Sequence, residues 1–350
     1  MASSRRDRST RFRRVTIQDV AARAGVSPTT VSHALNGKGR IDPATRERVF
    51  AAAERLGYRA SRTARALRTR RTGAIAFFVP SFERPPTQTQ MLTLDIYMNQ
   101  ASAAARAAFA RDHSLLLIPP ITTAGELDGL GVDGGIVCDP LRDDPVVELF
   151  EQLELPVVTI ERQPGRPESV WHVRADNEGD TLRLLEHLAQ AGAERIAMLS
   201  LDADMAWTHE TTSAYREWCT GRGREPVVLF ASPHQLESSA FEMTRRLLEC
   251  DDPPDAIFAS AERFASGVIR AARERGRRIP EDLMVATGID GWEAREATPP
   301  VTAIDVQPAL QGAAAADLLI SRIEAEEVEA PRITPSHLHL RASTRAVTLA

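Results

Sequence analysis

Residues 16–36 read TIQDVAARAGVSPTTVSHALN, and their spacing describes two short helices joined by a tight turn. Ile17, Val20, Ala21 and Ala24 recur at helical intervals, so one face of the first helix can be buried. Gly25 permits the left-handed turn that ends it. Ser27-Pro28 then supplies a helix N-cap followed by a proline at the first helical position, where a missing N–H costs nothing. Val31 and Leu35 continue the buried face of the second helix. Thr29, Thr30, Ser32, His33 and Asn36 remain outside it as short polar side chains. Side chains of this size, with donors and acceptors at their tips, suit a helix that enters the DNA major groove. An ordinary amphipathic hairpin would show the same apolar spacing, so the flanking sequence has to decide.

The flanks are strongly basic. Residues 1–72 hold 18 Lys or Arg against 5 Asp or Glu, a net of +13, whereas residues 73–350 carry 25 basic and 43 acidic side chains, a net of −18. A near-neutral total therefore hides a basic head on an acidic body, the charge pattern expected of a duplex-DNA binder. Residues 1–14 include Arg5, Arg6, Arg8, Arg11, Arg13 and Arg14 with almost no apolar residue, and read as a disordered arm. That arm either adds phosphate contacts or is only a solvated tail.

The chain of 350 residues is long enough for two or three domains with sizeable cores. It has no apolar run of membrane-spanning length and no secretory h-region, so a cytoplasmic protein is expected. Cys138, Cys219 and Cys250 show no CxxC spacing and fit reduced thiols. The histidines form no HxxxH or HExxH pair, so neither a metal nor a cofactor is expected.

Asp42-Pro43 starts a third helix by the same cap-and-proline logic, running to about Leu56 before Gly57. Three helices thus make a headpiece over residues 15–59. Residues 60–72, ASRTARALRTRRT, form a basic linker too short and polar to hold a helix alone in water. From Gly73 short apolar runs alternate with amphipathic segments. Strands are expected at Ala74–Val79, Leu115–Ile118, Gly135–Val137, Val157–Ile160, Arg195–Leu199, Val227–Phe230, Ala256–Ala259 and Leu283–Thr287. Helices are expected near 95–111, 144–154, 177–191, 211–222, 238–250 and 263–275. Two such βα series imply two parallel-sheet lobes with helices on both faces, and a ligand cleft at the carboxyl ends of the strands.

With these segments in place the chain resembles the LacI/GalR family of bacterial transcription regulators. The resemblance runs from VTIQDVAARAGVSPTTVSHALNGKGRIDPATRERVFAAAERLGYRASRTARALR through RADNEGDTLRLLEHLAQAGAERIAML and PDAIFASAERFASGVIRAARERGRRIPEDLMVATGID to TPPVTAI. It implies an all-α helix-turn-helix headpiece joined to an α/β two-lobed body like the periplasmic binding proteins. The body spans 73–345, with one lobe near 73–172 and 302–327 and the other near 173–300 and 328–345. It also implies a homodimer on a near-palindromic operator, acting as a repressor controlled by a small-molecule effector such as a sugar. Pro28, Thr29 and His33 match positions facing base edges. Thr16, Thr30, Ser32 and Asn36 match positions that touch or orient phosphates, with Ser27 beside them. Leu67 matches the hinge leucine wedged into the minor groove, flanked by Ala64 and Arg68.

The effector pocket departs from the pattern. Thr211 stands where sugar-binding members have an arginine, so a rigid fork of donors is lost. Ala261-Glu262 replaces an Asn-Asp pair, and Gly291 replaces the aspartate that usually follows Asp290. The pocket expected from the resemblance contains Phe82, Tyr97, Cys138, Glu161, Trp207, Thr211, Ala261, Asp290 and Trp292. Such a pocket fits either a different ligand or a degenerate site with effector-independent or protein-controlled regulation. The segment TTAGELDGLGVD (122–133) is short for a full helix. A ligand carrier or an enzyme could use the same two-lobed body, but no Ser/His/Asp, Cys/His or metal spacing marks an enzyme.

Overall fold

The computed structural model describes residues 15–35, 39–58, 71–80, 95–119, 121–166, 168–233 and 235–346. The chain divides into two compact units, Met1–Thr72 and Gly73–Ala350.

The first unit holds helices Ile17–Ala24, Pro28–Leu35 and Pro43–Leu56. Each start is capped as its sequence demands. The Thr16 hydroxyl accepts from the Asp19 N–H, while the Asp19 carboxylate accepts from the Thr16 N–H at 2.8 Å. Ser27 Oγ accepts from the Thr30 N–H at 3.1 Å. Asp42 Oδ1 accepts from the Thr45 N–H at 2.9 Å, ahead of Pro43. Gly25 has φ +67°, the left-handed conformation that lets the first helix stop and the second start within three residues. Val20, Val31 and Val49, one from each helix, meet in a fully buried core with Ala21, Ala34, Ala52 and Ala53. Each buried valine contributes about 1.5–3 kcal/mol.

The second unit contains two six-stranded sheets. One is ordered Arg332–Ile333, His172–Arg174, Val157–Ile160, Gly135–Cys138, Ala74–Phe78, Ser114–Ile118, and every pairing in it is parallel. The other is ordered His337–His339, Thr302–Asp305, Met284–Thr287, Ala256–Ala259, Ile196–Leu201, Val227–Ala231; only its edge strand His337–His339 runs antiparallel. The strands read as continuous apolar runs because helices cover both faces of each sheet, making two separate cores per lobe.

The lobes divide differently from the sequence reading. Thr302–Asp305 pairs with Met284–Thr287 and belongs to the second lobe, whereas Arg332–Ile333 pairs with His172–Arg174 and belongs to the first. The expected boundaries at 302 and 328 are therefore corrected. A strand of two to four residues carries no mark of which sheet it joins; the non-local ladder decides. The chain crosses between lobes near residues 175, 306 and 335.

Four helices also differ from expectation, two of them, Trp292–Glu296 and Pro308–Glu324, lying where no helix was expected. Ala124–Leu130 forms nearly two turns, started by a Thr123–Glu126 capping box and anchored by fully buried Leu127. The expected helix at 211–222 begins earlier, at Ala206, because Ala206 and Trp207 are buried beside it. Tertiary burial overrides the weak helix preference of its threonines.

The helix Pro308–Glu324 packs closely on Asp95–Ala110. A Cβ at Gly312 would stand 2.0 Å from the Gln100 carbonyl oxygen, so the helices cross backbone against backbone only because this residue has no side chain. Gly312→Ala is expected to destabilise the body by about 1–3 kcal/mol through forced separation of these helices. Urea unfolding followed by tryptophan fluorescence checks this; an unchanged midpoint would contradict the contact.

Candidate functional site

In the first unit, burial of Val31 and Ala34 fixes which face of the second helix points outward. Pro28, Thr29 and His33 are exposed along that face, and Thr30 and Ser32 are half-buried at its margin. Ser27 and Thr16 serve as caps, and Ser27 Oγ also lies 2.8 Å from Thr30 Oγ1. These two hydroxyls are thus engaged in starting the helices. Asn36, Ala64, Leu67 and Arg68 lie outside the described residues.

In the second unit, the strand ends of both lobes converge on a cavity that is partly open to solvent. Its polar wall comes largely from the first sheet. Asp139 follows the strand Gly135–Cys138 and Glu161 follows Val157–Ile160. Those strands pair with Cys138 opposite Ile160, so the two acidic residues are neighbours at the carboxyl edge. Both adopt left-handed backbone, φ +44° and +71°, where non-glycine residues are strained. Asp139 Oδ2 accepts from the Tyr97 hydroxyl at 2.7 Å. Glu161 accepts from the Asn177 amide at 2.7 Å and from the Ala175 N–H at 3.2 Å. The same Asn177 nitrogen donates to Glu210 at 2.9 Å, and Arg162 Nε reaches the other Glu210 oxygen at 3.0 Å.

Burial pushes the Glu161 carboxyl up to about 8, helped by the charge of Asp139 and opposed by the bonds from Asn177 and Ala175. Burial likewise raises Asp139 to about 6 against the Tyr97 hydrogen bond. Tyr97, desolvated and facing Asp139, is held well above its ordinary range. Leu201, Met205, Trp207, Leu236 and Ile289 close the apolar side, and Gln100 and Gln311 meet at 3.0 Å on the remaining wall.

Of the pocket residues expected from sequence, Tyr97, Glu161, Trp207 and Ala261 line this cavity. Cys138 is buried in the first lobe's core instead. Thr211 bonds back to the Trp207 carbonyl at 2.8 Å within its own helix. Asp290 is gripped by Arg341 at 2.7 and 2.9 Å and approached by Arg295 at 3.3 Å, which pins the turn after Met284–Thr287 to the C-terminal segment. Trp292 is 62% exposed and lies off the cavity wall. Phe82 lies outside the described residues. Gly291 leaves room for Glu262, since a Cβ there would fall 1.1 Å from Glu262 Oε2. The glutamate thus fills space that an aspartate at 291 would occupy. Burial and neighbouring Glu293 and Asp95 raise Glu262 to about 7.

Sequence reading missed Gln100, Asp139, Asn177 and Gln311. Asn177 stands in the quoted RADNEGD motif and Asp139 directly follows Cys138, so both carried a local signal. Gln100 and Gln311 lie 211 residues apart and carried none.

The chain matches the model for bacterial regulatory proteins of the lacI family over residues 16–61, and that for the periplasmic binding protein-like domain over 185–344. It is 33% identical to the HTH-type transcriptional regulator CelR of Thermobifida fusca across 95% of this chain and 99% of that protein. The chain belongs to the lacI family. This lacI-family regulator is also 29% identical to the ribose operon repressor of Halalkalibacterium halodurans, over 94% of its own length and 97% of the repressor's. The solved CelR–cellobiose complex superposes with a TM-score of 0.69 at 31% identity, covering 94% of this chain and all of that one. The lac repressor dimer bound to operator and the anti-inducer ONPF superposes at 0.75 over 95% of this chain; at 23% identity it attests the shared fold. As a lacI-family member the protein is a transcriptional regulator with a DNA-binding headpiece. Among the described residues no helix is long and apolar enough to cross a membrane.

The raised acidic groups set a pH dependence. A carboxyl whose folded value lies above its unfolded value favours the folded state fully below about pH 4.5, and that contribution is lost as pH rises through about 8 for Glu161. The body should therefore melt lower at pH 9 than at pH 6, and Glu161→Gln should reduce that fall by roughly 5 °C. Parallel melting curves for the two proteins across this range would show that Glu161 is not held protonated.

Proposed function

We propose that this regulator is a sequence-specific repressor, dimeric on a near-palindromic operator, whose DNA affinity is set by a small molecule in the inter-lobe cavity. The observation carrying the DNA reading is the second helix: Pro28, Thr29 and His33 stand exposed on a helix whose opposite face is locked by Val31 and Ala34. That helix sits in a segment of net charge +13. The Pro28 ring suits apolar contact with a thymine methyl and the His33 ring N–H suits a guanine acceptor, while the surrounding arginines suit phosphates. The proposed organisation is an arm at 1–14, a headpiece at 15–59, a linker at 60–72 and a body at 73–345. Leu67, with Ala64 and Arg68, is the proposed minor-groove wedge.

Dimerisation is supported by exposed apolar side chains on the first lobe: Met98 and Phe109 on the helix Asp95–Ala110, and Leu117 on the edge strand Ser114–Ile118. Control by a ligand is supported by the cavity itself and by the cellobiose held by CelR, a relative matched along nearly its whole length. A ligand that binds the closed body more tightly than the open one changes the spacing of two linkers, and so DNA affinity, by its differential affinity alone. A cavity lined by two buried acidic side chains and an apolar wall favours this over a degenerate pocket. No enzymatic role is proposed, since the relatives matched are regulators.

Selection of DNA from a random duplex library by the full-length protein should yield a near-palindromic site with salt-sensitive affinity. His33→Ala should then relax the preference at particular base pairs by about 1–3 kcal/mol per contact. Uniform weakening across all sequences would make His33 a positioning contact instead. Recovery of no enriched sequence would refute sequence-specific binding.

A further inference from the structure

We propose that the inter-lobe cavity takes a protonated organic amine, bound with its ammonium between Asp139, Glu161 and Gln100 and its body against Trp207. The inference rests on the reading of this cavity as the effector site and names the ligand's class.

The cavity's hydrogen-bonding wall is lopsided. Asp139 and Glu161 stand side by side at the ends of paired strands, and no Lys, Arg or His is among the described residues that line the space. Apart from the Glu161 carboxyl, which burial holds largely protonated near neutral pH, the donors that are present are already committed. The Tyr97 hydroxyl gives its hydrogen to Asp139, and the Asn177 amide gives its hydrogens to Glu161 and Glu210. Arg162 and Arg174, the cations at this edge, are turned to Glu210 and to the Ala175 carbonyl. Gln100 supplies an independent sign. It lines the cavity at 2% exposure, its nitrogen donates to Gln311, and its Oε1 has no hydrogen-bond partner. A buried acceptor without a donor is costly, and Gln100 is among the residues that line the space with the two acidic side chains.

An occupant must therefore bring donors and positive charge while asking for few donors in return. A neutral polyol brings an acceptor with every donor, and the committed Tyr97 and Asn177 leave its oxygens poorly served. An anion is opposed by both carboxylates. An ammonium has up to three donors and no acceptor, and charge-assisted bonds to carboxylates are the stronger kind. The raised proton affinities of Asp139 and Glu161 fit the same picture: an ammonium between them would favour both ionised forms. Leu201, Met205, Trp207 and Leu236 offer an apolar surface for the rest of the molecule, either a pyranose face or an aromatic ring.

Matched pairs that exchange an ammonium for a hydroxyl test this on the intact wild-type protein. Titration calorimetry at pH 7 would compare glucosamine with glucose, and tyramine with 4-(2-hydroxyethyl)phenol, with cellobiose as a neutral disaccharide. The amine of at least one pair should bind at least about tenfold more tightly than its neutral counterpart and than cellobiose. Which pair responds distinguishes an amino sugar from an arylalkylamine. Asp139→Asn should abolish that preference. Equal or tighter binding of cellobiose or a neutral counterpart, or binding of neither amine, would overturn the proposal. Such a failure leaves the regulator reading standing if operator selection succeeds, and a failed operator selection is scored without reference to these ligands.

Discussion

The Asn177 side-chain amide donates one hydrogen to Glu161 of the first lobe and the other to Glu210 of the second. This fork is the interaction on which the geometry of the body depends. Asn177 opens the helix Asn177–Gln190 immediately after the chain leaves the first sheet, so a chain crossing and a polar bridge coincide. Glu161 is held at the strand edge in left-handed backbone, which is sustained only because Asn177 and the Ala175 N–H satisfy its carboxyl. Removing the fork would take one donor from each of two buried carboxyls, leaving Glu161 with the Ala175 N–H and Glu210 with Arg162.

Arg162 of the first lobe adds a second bridge to the buried Glu210; the bridges farther from this site are weaker. Arg142 meets Asp204 at 2.7 Å, but both side chains are nearly half exposed. Asp95 accepts from the Trp292 N–H at 3.0 Å and faces Arg295 at 3.5 Å, again at the surface. Solvent screening holds exposed pairs of this kind to about 0–1 kcal/mol each. Away from Glu210 the lobes are thus joined by weak, exposed contacts, and the strong bridges border the cavity itself. A body built this way is suited to a two-state response, because a modest differential affinity is enough to shift its population.

Asp290 illustrates how a familiar position can carry a different load. Its carboxylate is held by a bidentate contact from Arg341 and sits beside Arg295, leaving it to fasten a turn to the C-terminal segment. Nearby, the missing side chain at Gly291 leaves the space that the Glu262 carboxyl fills. The departures from the family's sugar-binding pattern thus belong to a rebuilt wall: Thr211 serves its own helix, and Asp139 and Gln100 contribute the polar surface.

The headpiece was legible from sequence because everything that specifies it is local. Caps at Thr16, Ser27 and Asp42 lie three residues from the groups they satisfy, and Val20, Val31 and Val49 recur at helical spacing within 30 residues. The strand-helix alternation of the body was legible for the same reason: each element declares itself by its own apolar period. Sheet membership of Thr302–Asp305 and Arg332–Ile333 was not, since a short strand acquires its sheet from ladders formed with residues far along the chain. The cavity wall was only partly legible. Glu161 stood out at the end of an expected strand and Trp207 through the family resemblance, but Gln100 and Gln311 become neighbours only where Gly312 lets two helices touch. By itself the sequence determined a capped, basic reading head and two parallel-sheet lobes, because those follow from short-range periodicity and charge. Tertiary structure alone decided which polar groups face the cavity and which are consumed in bracing it, because that choice depends on side chains competing for partners across the fold.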